Sequence, residues 1–167
     1  MPESGKPVYL VNAYSDPVVV RIDGRACFQN SAGLKEFVSE MIRQGKRRFV
    51  FDFQHCASMD STFLGVIAGA ALELRKAGGS LIAARPGQRN LELMRNLGLH
   101  RLLTVDCGDH PMAFAPCDQP LANPAQGEIE SARLVLEAHE SLVTADEANR
   151  SKFQDVLVFL RDRVAQK

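Results

Sequence analysis

The stretch Val50-Phe51-Asp52-Phe53-Gln54-His55-Cys56-Ala57-Ser58-Met59-Asp60-Ser61-Thr62-Phe63-Leu64-Gly65-Val66-Ile67 changes period in its middle. Phe49 to Phe53 is short, aromatic and β-branched, with apolar residues at its start on both alternating faces, as in a strand covered on two sides. It reads as the central strand of a sheet. Asp60-Ser61 then opens a long apolar helix running to about Ala77, where Gly78-Gly79 offers a left-handed exit. A buried strand that feeds a helix through a polar turn is the unit of an α/β sheet.

The flanks repeat that unit. Val8 to Tyr14 and Val18 to Ile22 are extended segments around Ser15-Asp16-Pro17, which suits a turn. From Ser31 to Gln44, residues Leu34, Phe37, Val38, Met41 and Ile42 form an amphipathic stripe that Gly45 ends. Lys46-Arg47-Arg48 is a basic run leading straight into Phe49, which marks a strand entrance and not a nucleic-acid surface. Ser80 to Arg85 is the next strand, Asn90 to Leu97 a helix before Gly98, and Leu102 to Val105 a last strand. The predicted order is β-β-α-β-α-β-α-β, a mixed or mostly parallel sheet with helices packed on it.

Beyond Val105 the character shifts. Pro111, Pro116, Pro120 and Pro124, four of the 8 prolines, make 106–127 an extended linker. Glu128 to Val143 and Asn149 to Val164 are helical, and Thr144-Ala145-Asp146-Glu147 between them matches a capping box. Ile129, Leu136 and Val143 stripe the first helix; Phe153, Val156, Leu157, Leu160 and Val164 stripe the second. Two helices cannot hide both stripes alone, so the hairpin packs on itself and then on the sheet domain, another copy or a partner. The expected division is a domain over 1–105, a linker over 106–127 and a helical hairpin over 128–167.

The 167 residues, 46% hydrophobic and 24% charged, suit one folded domain with an appendage. Net charge is +0, yet Met1 to Val105 holds 14 basic against 9 acidic residues and Asp106 to Lys167 holds 6 against 11, so the two parts attract. The apolar run Phe63 to Ala71 is far shorter than the roughly 20 residues of a membrane span. With no secretory apolar core after Met1, a cytoplasmic location is expected. Cys27, Cys56, Cys107 and Cys117 form no C-x-x-C pair and His55, His100, His110 and His139 no metal-finger spacing, so structural zinc and other cofactors are not expected.

Asp60 and Ser61 are preferred helix caps, and capping alone accounts for the pair; Gly65 and Gly69 could let that helix lie close to the sheet. A serine hydroxyl at a helix start also sits where free amides and the helix dipole favour a phosphate, which adds about −1.5 to −2 charges. Three other chemistries compete on weaker patterns. His55 beside Cys56 could be a base and nucleophile, but neighbours on a strand point apart. Asp23, Asp52, His55 and Asp60 lack the carboxylate-rich loop of a metal site, and Gly78-Gly79-Ser80 lacks the ending of a phosphate-binding loop.

Val18 to Arg25, the Asp52 strand end, Met59-Asp60-Ser61 with Leu64-Gly65, Ala77 to Leu81 and the Leu93 to Leu103 stretch together resemble the STAS domain. Within that family they are most similar to the bacterial anti-sigma factor antagonists. The resemblance covers roughly residues 7 to 105. It implies a STAS-like sheet with helices packed on it and a non-enzymatic phosphoswitch. In that family an anti-sigma factor that is also a serine kinase binds the unmodified antagonist, phosphorylates the serine after the aspartate and then lets go, while a serine phosphatase resets it. Carried over, Ser61 is the phosphoacceptor, Asp60 its neighbour, and Thr62, Leu64 and Gly65 shape a docking surface with the Asp23-Gly24 turn nearby. This reading needs the Ser61 hydroxyl exposed. Phe63 stands where the family often has a small residue, which points to a larger apolar docking contact or another partner. The hairpin lies outside the minimal domain and suits oligomerisation, a second interface or autoinhibition. From a different class, the chain is a STAS scaffold or regulatory subunit of a transport or stress-response complex.

Overall fold

The computed structural model describes residues 8–106 and 117–166. Five strands and the helices between them follow the expected order. β1 (Tyr9–Asn12) and β2 (Val18–Ile22) pair antiparallel, and β4 (Arg48–Asp52), β6 (Ser80–Ala84) and β7 (Thr104–Asp106) extend the sheet in parallel from β2. Phe49, Val50 and Phe51 of β4 are all buried, so apolar side chains on both sides of the strand are covered. Helices α1 (Ser31–Arg43), α2 (Ser61–Lys76) and α3 (Gln88–Asn96) connect the strands. Arg47 and Arg48 hold the entrance to β4: Arg47 Nη1 donates to the Ile42 carbonyl, and Arg48 pairs with Asp16 at 2.9 Å.

Three short strands went unforeseen. β3 (Gly24–Ala26) and β5 (Cys56–Met59) form a separate parallel ribbon, and β8 (Gln119–Pro120) adds to the edge of the main sheet against β1. The linker therefore docks in its second half. The Leu121 amide donates to the Tyr9 carbonyl and Asn123 Nδ2 to the Gln29 carbonyl at 2.6 Å, while the Ala122 backbone lies over Gly33 of α1. Cys107, His110, Pro111 and Pro116 fall outside the described residues.

The C-terminal segment is a pair of helices, α4 (Glu128–Ala145) and α5 (Asn149–Gln166). The capping box is not formed. Thr144 lies inside α4 with its hydroxyl donating to the Glu140 carbonyl, Glu147 pairs with Arg150, and Asp146 Oδ1 instead accepts the Ala148 amide. Leu136, Val143, Leu157 and Leu160 bury against one another between the two helices. Val156 and Phe159 of α5 stay exposed.

The other side of α4 packs on α2. Leu134 and Ala138 join Val66 and Ala32 in one buried cluster, and Leu142 enters the main core. Charge follows the split read from the sequence: Lys35 pairs with Glu137 at 2.6 Å and Arg101 with Asp146 at 3.6 Å, each across the junction. Asn149, fully buried, donates from Nδ2 to the Leu97 and Leu142 carbonyls at 2.9 and 2.7 Å and pins the turn of the hairpin to the end of α3.

Candidate functional site

The β3–β5 ribbon places the start of α2. Ala26 pairs with Met59, and the Asp60 amide donates to the Ala26 carbonyl, so the chain leaves the ribbon directly into the helix. Asp60 is the N-cap, with extended backbone and Oδ1 accepting the Phe63 amide at 2.8 Å. Its second oxygen accepts the Phe28 amide at 2.8 Å. One carboxylate thus joins the first turn of α2 to the segment that leads into α1, through charge-assisted bonds to two amides. Ser61 is the first residue of α2, where the leading amides of a helix have no intrahelical acceptor.

The hydroxyl of Ser61 is not free. It lies 2.9 Å from His139 Nε2 of α4, and His139 Nδ1 lies 2.7 Å from the Val135 carbonyl. A carbonyl only accepts, so Nδ1 carries a hydrogen, and in the neutral ring Nε2 is left to accept the Ser61 proton. The imidazole is 3% exposed and meets the Phe153 ring edge-on at 4.8 Å, so α5 braces it from behind. Ser61 itself is half-buried, where the sequence reading needed an exposed hydroxyl. The correction comes from α4, which covers this end of α2.

The residues named with Ser61 divide into distinct settings. Thr62 and Leu64 are 4% and 1% exposed, and Leu64 belongs to the core under the helix. Phe63 is a core residue as well, stacked on Tyr9 and edge-on to Phe53, so it offers no docking contact. Gly65 faces α4 and not the sheet: a Cβ there would meet the Ala138 carbonyl oxygen at 2.2 Å. Gly69 also faces α4, at Ser141. Asp23 and Gly24 sit at the far end of the ribbon from Ser61, since Gly24 pairs with Cys56 and Ala26 with Met59. There Asp23 accepts from Arg21 Nε at 2.9 Å, and Gly24 takes a positive φ of 89°. The ribbon separates the two loci by roughly three residues, or about 10 Å.

The competing chemistries find no support in the geometry. Cys56 is buried with its thiol directed to the Ser58 carbonyl, and burial pushes its pKa up to about 11, while His55 is exposed. A thiol so protonated at neutral pH is a poor nucleophile. Asp52 is taken by Arg85 at 2.6 Å and by the Gln54 amide. Among the described residues no three His, Cys, Asp or Glu side chains gather as a metal site. Gly78, with φ 82°, and Gly79, whose amide donates to the Leu74 carbonyl, form a helix exit that leads into β6.

Sequence reasoning missed His139 and Phe28. Phe28 is 51% exposed beside the Asp60 cap, so it is an apolar side chain available at the mouth of the site. A sign of α4 was present: Thr62 to Ala71 has no charged side chain on any face, and a helix apolar all round is covered all round.

Comparison with known proteins places this geometry. The STAS domain profile matches residues 9–109, more than half of the chain. The Bacillus cell fate determinant SpoIIAA in its phosphorylated form shares the fold with a TM-score of 0.51 at 20% identity, over 60% of this chain and 93% of that one. The Thermotoga maritima protein TM1081 does so with a TM-score of 0.52 at 19% identity, over 59% of this chain and 85% of that one. No curated protein matches the chain. With β1 to α3 and β7 inside the matched span and Asp60-Ser61 at the head of its second helix, the chain belongs to the STAS domain family.

Proposed function

We propose that the protein is a non-enzymatic phosphoswitch of the anti-sigma factor antagonist type, acting in the bacterial cytoplasm with Ser61 as phosphoacceptor. Its partners on this reading are an anti-sigma factor serine kinase, which binds the unmodified form, and a serine phosphatase. The observation that carries it is the placing of Ser61 as the first residue of α2, directly after a cap whose carboxylate is already satisfied by two amides. A phosphate there meets the positive end of the helix, and the helix bearing it does not need to unfold. A partner that had buried the hydroxyl would instead face a doubly charged group beside Asp60. Without a matching arginine that costs several kcal/mol, where 1.4 kcal/mol already changes affinity tenfold.

The test is incubation of the full chain with ATP and candidate serine kinases of the histidine-kinase-like ATPase fold, followed by intact mass and fragmentation. One phosphate, located on Ser61 and absent from Ser61→Ala, is expected, together with weaker kinase binding by the modified form. Equal affinity of the two forms, or a phosphate on another residue, rejects the reading.

A further inference from the structure

We propose that the α1–α2 face bearing Ser61 is a helix-docking surface and that the C-terminal hairpin is its intramolecular occupant, an autoinhibitory latch that has to leave α2 before Ser61 can be reached. The latch stands on packing, whatever reaches the site; its regulatory meaning rests on the reading of Ser61 as phosphoacceptor. Three independent contacts define it. His139 takes the Ser61 hydroxyl at 2.9 Å and is held from behind by Phe153. The Ala138 backbone sits so close over Gly65 that no side chain larger than hydrogen fits there. Glu137, next along α4, pairs with Lys35 of α1 at 2.6 Å.

A side chain from each position of Glu137-Ala138-His139 therefore answers a feature of the STAS face: an acid for its lysine, a small residue for its glycine, an imidazole for its serine. The arrangement also shows what a competing partner has to present, namely a helix with a small residue over Gly65 and an acidic one toward Lys35. An incoming protein binds only the fraction of molecules whose hairpin is off, so its apparent affinity is its intrinsic affinity scaled by that fraction. The same closure shields Ser61 from phosphate donors.

The test uses the full chain carrying Ser61→Cys, with N-ethylmaleimide as probe and the modification of each cysteine followed separately by peptide mass spectrometry. The residue at 61 is expected to react at least ten-fold more slowly than it does after addition of Ala138→Glu, which places a carboxylate against Gly65 and changes nothing in the STAS domain. Leu134→Ala, which trims the packing of α4 on Val66 and Ala32, is expected to accelerate labelling in the same direction by a smaller factor and guards against a misfolded glutamate variant. Equal labelling rates in all three chains overturn the latch. In parallel, Ala138→Glu with Ser61 intact is offered to the kinases and ATP. Faster phosphorylation of Ser61 supports latch and switch together. Accelerated labelling with no phosphate on Ser61 leaves the latch standing and removes the phosphoswitch.

Discussion

Two glycines one turn apart on α2 give the sharpest check on where α4 lies. At Gly69 an added Cβ has the Ser141 hydroxyl at 3.1 Å and the Ser141 Cβ at 3.8 Å as its neighbours, and a hydroxyl can rotate aside. Gly69→Ala therefore keeps the helix-propensity gain of about 0.5–1 kcal/mol. At Gly65 the same methyl group would stand 2.2 Å from the Ala138 carbonyl oxygen and 2.6 Å from its Cβ. Ordinary contact begins near 3.5 Å, so α4 has to withdraw by roughly an ångström along its seam with α2. Overpacking of this kind costs about 1–3 kcal/mol and outweighs the propensity gain, so Gly65→Ala is expected to be destabilised by up to about 2 kcal/mol. Urea denaturation followed by far-UV circular dichroism, with the slopes compared to exclude a change in the unfolded state, reads the difference. In a chain of this length each kcal/mol also moves Tm by about 2–4 °C, so the two variants are expected to fall on opposite sides of the parent. If Gly65→Ala proves as stable as Gly69→Ala, α4 does not rest on Gly65 and the covering of Ser61 goes with it.

Other substitutions probe the cap, the pin and the buried thiol. Asp60→Ala removes the acceptor for both the Phe63 and Phe28 amides and is expected to cost about 2 kcal/mol, with Asp60→Asn recovering part; a loss under about 0.5 kcal/mol in a denaturant titration would contradict the bridging role. Asn149→Ala leaves the Leu97 and Leu142 carbonyls without their buried donor, at a cost of about 1–3 kcal/mol. Hydrogen exchange is expected to quicken in α4 and α5 before the central strands, and a uniform change across the chain would argue against a local pin. Burial raises the Cys56 thiol from 9.0 to about 11, so the folded state keeps a proton that the unfolded chain gives up. That contribution, on the order of 2 kcal/mol, is complete below pH 9 and is lost as pH rises toward 11. Burial raises the Tyr9 hydroxyl too, so Cys56→Ala is expected to flatten the alkaline decline in stability only in part; an unchanged slope would refute the assignment to Cys56.

The elements that repeat with a regular period were legible from residue order. Leu34, Val38, Met41 and Ile42 announce α1, Phe49 to Phe53 announce β4, and Asp60-Ser61 announces the head of α2, because period, cap and turn are properties of neighbouring residues. The serine singled out by its place after Asp60 does stand at the first position of that helix. β3 and β5 escaped because three or four residues hold too little alternation to distinguish a strand from a turn, although their pairing is what delivers Asp60 to Phe28. The capping box at Thr144 failed for a related reason: α4 simply continued through it to Ala145, and Asp146 took over the turn.

Local order thus settles which segments are helix or strand, and that 128–167 has an apolar stripe in need of cover, because each follows from contacts within a few residues. It does not settle what provides the cover. That His139 meets Ser61 across 78 positions depends on the hydrogen-only surface of Gly65 admitting the Ala138 backbone, on Lys35 finding Glu137, and on Asn149 fixing the turn; each is a meeting of distant groups that only the assembled chain brings about.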